Sequence, residues 1–149
     1  MHRFELNSDA FPLMISVIGD NLSDDDYHAL FAAWDEIVAR KQPFVSLVDL
    51  RMARTMPHPT QRAMIGAWMR KVDATMSKYS VGSANVIISP LVRGALTAIQ
   101  WIHRPVVAQA TFGTMLEACD WCIERLQRNR VPLTPAIETY RARLLRHSA

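Results

Sequence analysis

The chain is poor in glycine and cysteine and has no hydrophobic run of membrane length. Only five of its 149 residues are glycine. Neither a G-x-G-x-x-G fingerprint nor a Walker sequence occurs, which excludes a glycine-rich phosphate cradle of either kind. The two cysteines fall on one expected helix and cannot form a disulfide framework, so a reducing, cytoplasmic setting is expected. The longest apolar runs, such as 11–19, fall well short of the ~18 residues of a membrane span. The opening MHRFELNSD lacks the apolar core of a signal peptide. Charge of one sign is also scarce: the net charge is only +3. Much of the basicity sits near the C-terminus, and it is not interleaved with aromatics as in a nucleic-acid module, so nucleic acid is not an expected partner.

What is present is a globular composition. Half of the residues are hydrophobic and 21% are charged, enough apolar surface for one compact domain and too much for a disordered chain. Arg3 to Leu6 and Pro12 to Ile18 read as two short strands around the turn-forming Asn7-Ser8-Asp9, an antiparallel hairpin. Ser23 is a suitable N-cap, and Asp24, Asp25 and Asp26 place negative charge in the first helical turn, where the dipole favours it. Tyr27, Leu30, Phe31, Trp34, Ile37 and Val38 then recur at helical spacing. From Phe44 to Val48 a near-continuous apolar run ending in Asp49-Leu50-Arg51 suggests a strand buried on both faces, in the middle of a parallel sheet.

A second helix begins near Pro59 or Thr60, with Ile65, Trp68, Met69, Val72 and Met76 on its buried face. Ala84 to Ser89 reads as the next strand. Ser89 caps a helix with Pro90 at its favoured first position, and Arg104-Pro105 stops it. Val106 to Phe112 is the last strand, and Thr114 with Glu117 forms a capping box for the helix that follows. Pro135 to His147 is a final amphipathic helix. The order is β-β-α-β-α-β-α-β-α plus one helix: an α/β domain over 1–129 with a mixed, mostly parallel sheet and flanking helices, and a helical extension over 130–149.

This order, with its buried strand ending in Asp49-Leu50-Arg51, resembles the SpoIIAA-like branch of the STAS (anti-sigma-factor antagonist) fold. Further likeness lies in Ile88-Ser89-Pro90-Leu91-Val92-Arg93-Gly94, and in Phe112-Gly113-Thr114 leading to Glu117-Ala118-Cys119-Asp120-Trp121. The resemblance covers roughly 3–128 and implies a module that docks a partner protein. Some members are switched by phosphorylation of a Ser or Thr just after the central strand. Here that stretch reads Asp49-Leu50-Arg51-Met52-Ala53-Arg54-Thr55, without the usual motif, so the fold carries over and the switch does not.

Parallel strands bring their carboxyl ends to one edge, where ligands bind in open α/β sheets. Asp49, Arg51, Ser89 and Thr114 are expected there beside three helix N-termini, with Arg54, His58, Arg62 and Arg93 adding positive charge. Asp49, Arg51, Arg54, His58, Ser89, Arg93 and Thr114 therefore form the candidate site for an anion or a partner. The competing reading pairs Asp49 with a neighbouring arginine and leaves Ser89 as a cap.

Cys119-Asp120-Trp121-Cys122 has redox spacing, but it lies past the first helical turn, so both thiols read as small core residues. Asp20 to Asp26 lacks the glycine and closing glutamate of a calcium loop. His58 with Asp49 and Thr55 has no spacing that requires a nucleophilic set. No catalytic residue, metal or cofactor is nominated. Trp101 and Trp121 sit beside the main stripes of their helices and suggest a contact surface. The preferred reading is a non-enzymatic regulatory or interaction module with a protein partner or as a homodimer. Its alternative is a protein binding a small molecule, lipid or anion at the strand ends, the methionines suiting an adaptable apolar pocket.

Overall fold

The computed structural model describes residues 2–147. Strands β1 (Phe4–Asn7) and β2 (Leu13–Ile18) form the antiparallel hairpin. Strands β3 (Phe44–Asp49), β4 (Ser80–Val86) and β5 (Gln109–Phe112) then add in parallel, so the spatial order equals the order in the chain. That order determines where the helices lie. Successive right-handed crossovers that all step the same way must pass over the same face of the sheet. Helices α1 (Asp24–Val38), α2 (Pro59–Tyr79) and α3 (Pro90–Ile102) make those three crossovers. Helices α4 (Met115–Arg128) and α5 (Pro135–His147) return beneath the opposite face.

Local chemistry accounts for most boundaries. Ser23 accepts from the Asp26 N–H at 3.1 Å while Asp26 accepts from the Ser23 N–H at 2.9 Å, a reciprocal capping box. Ser89 and Thr114 cap α3 and α4 as their positions imply, and Pro90 and Pro135 open their helices. Two strands differ from expectation. β4 starts at Ser80 and ends at Val86, because α2 passes into it without a loop, and Ile88, expected inside it, is 53% exposed. β5 is confined to Gln109–Phe112, so 106–108 precede it as irregular chain.

Alternation along the strands gives the sheet two different faces. Leu13, Ile15, Val45, Leu47, Ala84 and Val86 face α4 and pack against Met115, Ala118, Cys119, Cys122 and Leu126. Ile137 of α5 is fully buried in the same cluster, joined by Val131, Leu133, Tyr140 and Leu144. The C-terminal helix thus completes the main core. On the other face Met14 and Phe44 meet Tyr27, Leu30, Trp34 and Ile37 of α1. Phe31 stacks on Trp68 at 5.1 Å, and the Trp68 indole N–H donates to Asp35 at 2.9 Å, tying α1 to α2.

Because Ile137 has no exposure and no room to relax, Ile137→Ala is expected to lower unfolding free energy by about 2–5 kcal/mol. Urea denaturation with an unchanged m-value measures it; a loss within error would show that α5 is only appended to the domain.

Candidate functional site

The edge at the carboxyl ends of the strands comes first, since the sequence nominates it. Asp49 is buried on the α4/α5 side and holds Arg51 in a two-pronged pair, with Arg51 Nε donating at 2.9 Å to one carboxylate oxygen and Nη2 at 2.9 Å to the other. The Arg51 backbone N–H donates to the same group at 3.0 Å. These hydrogen bonds push the Arg51 guanidinium further toward its charged form. The carboxylate and the guanidinium are thus directed at each other.

Arg54 and Thr55 donate their backbone N–H groups to Asp20 at 2.7 and 2.9 Å, and the Thr55 hydroxyl adds a third bond at 2.9 Å. Donation from Arg54 first, and from Thr55 next, holds the Asp20 carboxyl below its ordinary range. The acidic segment therefore anchors this loop and caps α1. His58 starts α2 with its own N–H bound by Gln61 at 3.1 Å. Arg93 is exposed on α3, while Ser89 and Thr114 serve as caps. Of the seven nominated residues, Asp49 and Arg51 are bonded to each other, and none of the seven lines the cavity described next.

That cavity lies over the sheet face covered by α1, α2 and α3 and measures about 290 Å³. Its origin is in the strand sequences. Parallel strands ordinarily carry Val, Ile or Leu on both faces, but here Ser16, Ser46, Ser83 and Asn85 point toward the three helices. Ser46 stands beside Ser83, and Ser83 beside Gln109, so a row of polar side chains runs across β3, β4 and β5. The helices rest on Met14 and Phe44 at one end, and space opens where the serines begin.

The walls are apolar: Tyr27, Leu30 and Trp34 from α1, Ile65, Trp68, Met69 and Met76 from α2, and Val92, Ala95, Leu96 and Ile99 from α3. The floor is polar. Asn85 donates to Gln109 at 3.1 Å. Ser16 and Ser46 are 1% and 5% exposed. Every fully enclosed polar side-chain atom among the described residues is paired; the hydroxyls of Ser16 and Ser46, which no other described group engages, open onto the cavity.

At the rim, His103 Nε2 is hydrogen-bonded to Asp73 at 2.8 Å, joining the end of α3 to α2. The His103 backbone N–H closes the last turn of α3 on Ile99 at 2.8 Å. Among the described residues no lysine or arginine lines the cavity. Burial, reinforced by nearby Asp26, pushes the Tyr27 phenol up to about 12, so it stays neutral.

Sequence reasoning missed this site. The available signal was a single serine on the helix-facing side of each of two largely apolar strands, Ser16 and Ser46. Asp73 and His103 lie thirty residues apart, in no motif, and only the packing of α3 on α2 brings them together.

The architecture is a SpoIIAA-like α/β fold. Among solved structures the chain is similar to an uncharacterized protein of the DUF3478 family with a SpoIIAA-like fold from Shewanella loihica PV-4, with a TM-score of 0.56 and 16% identity over 82% of this chain and 95% of that one. No family profile matches the sequence, and no curated protein matches it.

Both thiols of the C-x-x-C face the core. Cys119 and Cys122 are fully buried and unbridged, and the Cys122 thiol donates to the Ser46 carbonyl at 3.5 Å. Burial pushes Cys119 up to about 11 and Cys122 higher still. Since the thiolate is the reactive form, the native protein is expected to react with a disulfide reagent at pH 8 only as fast as it unfolds, and both thiols to react at once in denaturant. A fast native thiol would contradict this placement.

Proposed function

We propose that this protein binds a neutral, amphipathic small molecule in the cavity between the sheet and α1, α2 and α3. The observation that carries the reading is the contrast between apolar walls and a floor of serine hydroxyls in one partly open cavity. At about 290 Å³ it stands at the small end of the ~300–1,000 Å³ usual for ligand pockets. Apolar walls favour a ring or a short chain, while the hydroxyls favour a ligand bearing an alcohol, carbonyl or amide. A carboxylate or phosphate buried among these side chains would leave water without a cation to meet it, which is costly. The Asp73 and His103 side chains already engage one another.

A second reading, a regulatory module docking an acidic protein through Arg51, Arg54 and Arg93, is suggested by the fold likeness. It has less support, because the Arg51 guanidinium is held by Asp49.

Thermal unfolding with 1-octanol, indole and octanoate provides the test. A saturable rise in melting temperature is expected with the neutral probes, corresponding to about 2.7 kcal/mol at a hundredfold excess over Kd, and little rise with octanoate. Ala95→Leu, which fills the cavity from α3, is expected to abolish the shift while preserving the circular dichroism spectrum. Ser46→Ala is expected to weaken octanol roughly two- to tenfold through loss of one hydrogen bond. No saturable shift with any probe, or undiminished binding by Ala95→Leu, would refute the reading.

A further inference from the structure

Helix α3 has apolar surface on both sides, which water does not favour. Its inner side, Val92, Ala95 and Ile99, is buried over the cavity. Its outer side is nearly uncharged and carries Trp101, 86% exposed, while Leu91 and Ile102 are each 53% exposed, Ile102 at the edge beside Gly66 of α2. Val106, just past the helix, is 45% exposed and also lines the cavity. A solvated tryptophan at 86% exposure gains nothing from the core.

The charge carried around this helix is mainly positive, the Asp73 carboxylate at its end being engaged by His103. Between Asp73 and Glu117 the chain contains no Asp or Glu, but it does contain Lys78, Arg93 and Arg104. Arg70 of α2 adds to this: its guanidinium and the Ile102 side chain both lie beside Gly66, about 3.5 Å from the point where a Cβ would stand. Protruding Trp, Leu and Ile beside arginines, with the neighbouring Asp73 carboxylate engaged by His103, is a composition that seats a helix in the headgroup layer of an anionic membrane. A protein partner would have to supply a complementary acidic and apolar face, and a second copy of this basic surface would repel it. No helix among the described residues is long and apolar enough to cross a membrane, so the contact is peripheral.

We propose that the outer face of α3 is a membrane-surface contact, with Trp101, Ile102 and Leu91 entering the interface of an anionic bilayer and Arg70, Arg93 and Arg104 meeting lipid phosphates. The proposal goes beyond the cavity reading and stands without it. If both hold, the helix that covers the cavity is also the one that touches the membrane, and an amphipathic ligand would pass between bilayer and cavity without crossing water.

Co-sedimentation of the full chain with large vesicles tests it, comparing phosphatidylcholine alone with phosphatidylcholine containing one third phosphatidylglycerol. Binding is expected on the anionic vesicles only, falling as salt is raised. Trp101→Ser is expected to weaken it at least about tenfold, and Arg93→Gln or Arg104→Gln by about fivefold each. These positions are exposed, so the variants should melt like the parent, and octanol or indole binding should be unchanged. Failure of the folded chain to sediment with anionic vesicles would overturn the proposal, as would binding insensitive to Trp101. A dimer in light scattering that Trp101→Ser converts to monomer would overturn it as well, by assigning α3 to a second copy. Each of these three results would leave the thermal-shift test of the cavity intact.

Discussion

Parallel pairing of β2, β3, β4 and β5 in chain order is the constraint from which the rest of the molecule follows. A strand alternates its side chains between two faces, and lateral hydrogen bonding aligns those alternations across the sheet. Stepping one way with right-handed crossovers then assigns α1, α2 and α3 to a single side. The chain has no freedom left in which residues meet. Leu, Ile and Val face α4 and α5 in a dry, close-packed layer, and the serines face the three crossover helices. A slip of one residue in β3 would exchange Leu47 for Ser46 and ruin both layers at once.

Helix α5 shows how the two sides differ in kind. Without it, Leu126 and its neighbours would lie open to water, and Ile137 fills that space with no residual exposure. Tyr140 on the same helix lies close enough to Asp49 and Arg51 to share their field, and burial pushes its phenol up to about 12. The Asp49–Arg51 pair thus belongs to the well-packed side, where a buried carboxylate needs its partner. On the opposite side, among the described residues, the cavity lining holds no Asp–Arg pair. There the ionisable contact is at the rim, between Asp73 and His103.

Much of this architecture was legible because it rests on local chemistry. Ser23, Ser89 and Thr114 announce helix starts through their hydroxyls, and Pro135 marks the start of the last helix to the residue. The strand order was not legible, because alternation of strands and helices implies parallel crossovers and leaves the direction of each step open. The start of β4 was not legible, because the apolar spacing of α2 continues to Tyr79 and the strand opens on Ser80 with no turn residue between them. Phe44 to Val48 reads as a uniform buried run only if Ser46 is passed over. In the fold that serine is the important residue, since a short side chain at a position that expects Val or Leu removes volume as well as polarity. The candidate site at the strand ends was drawn from charges near one another in sequence. The cavity depends on what is missing from the sheet, and a list of functional side chains does not register missing volume.

That missing volume carries an energetic argument. Sealed voids cost about 24 cal/mol per Å³; this space of about 290 Å³ is partly open to solvent, so its cost depends on how well water is held in it. A chain that gained only stability from this sheet would close the gap with larger side chains at positions 16, 46 and 83. Purely apolar voids stay dry, whereas a polar floor supplies the two or more partners that hold water. Ser16, Ser46 and Asn85 therefore make the space tolerable in the absence of ligand. They also let an apolar molecule with one hydrogen-bonding group replace that water without stranding a buried polar atom. The same serines explain why the space exists, how it is tolerated and what it selects.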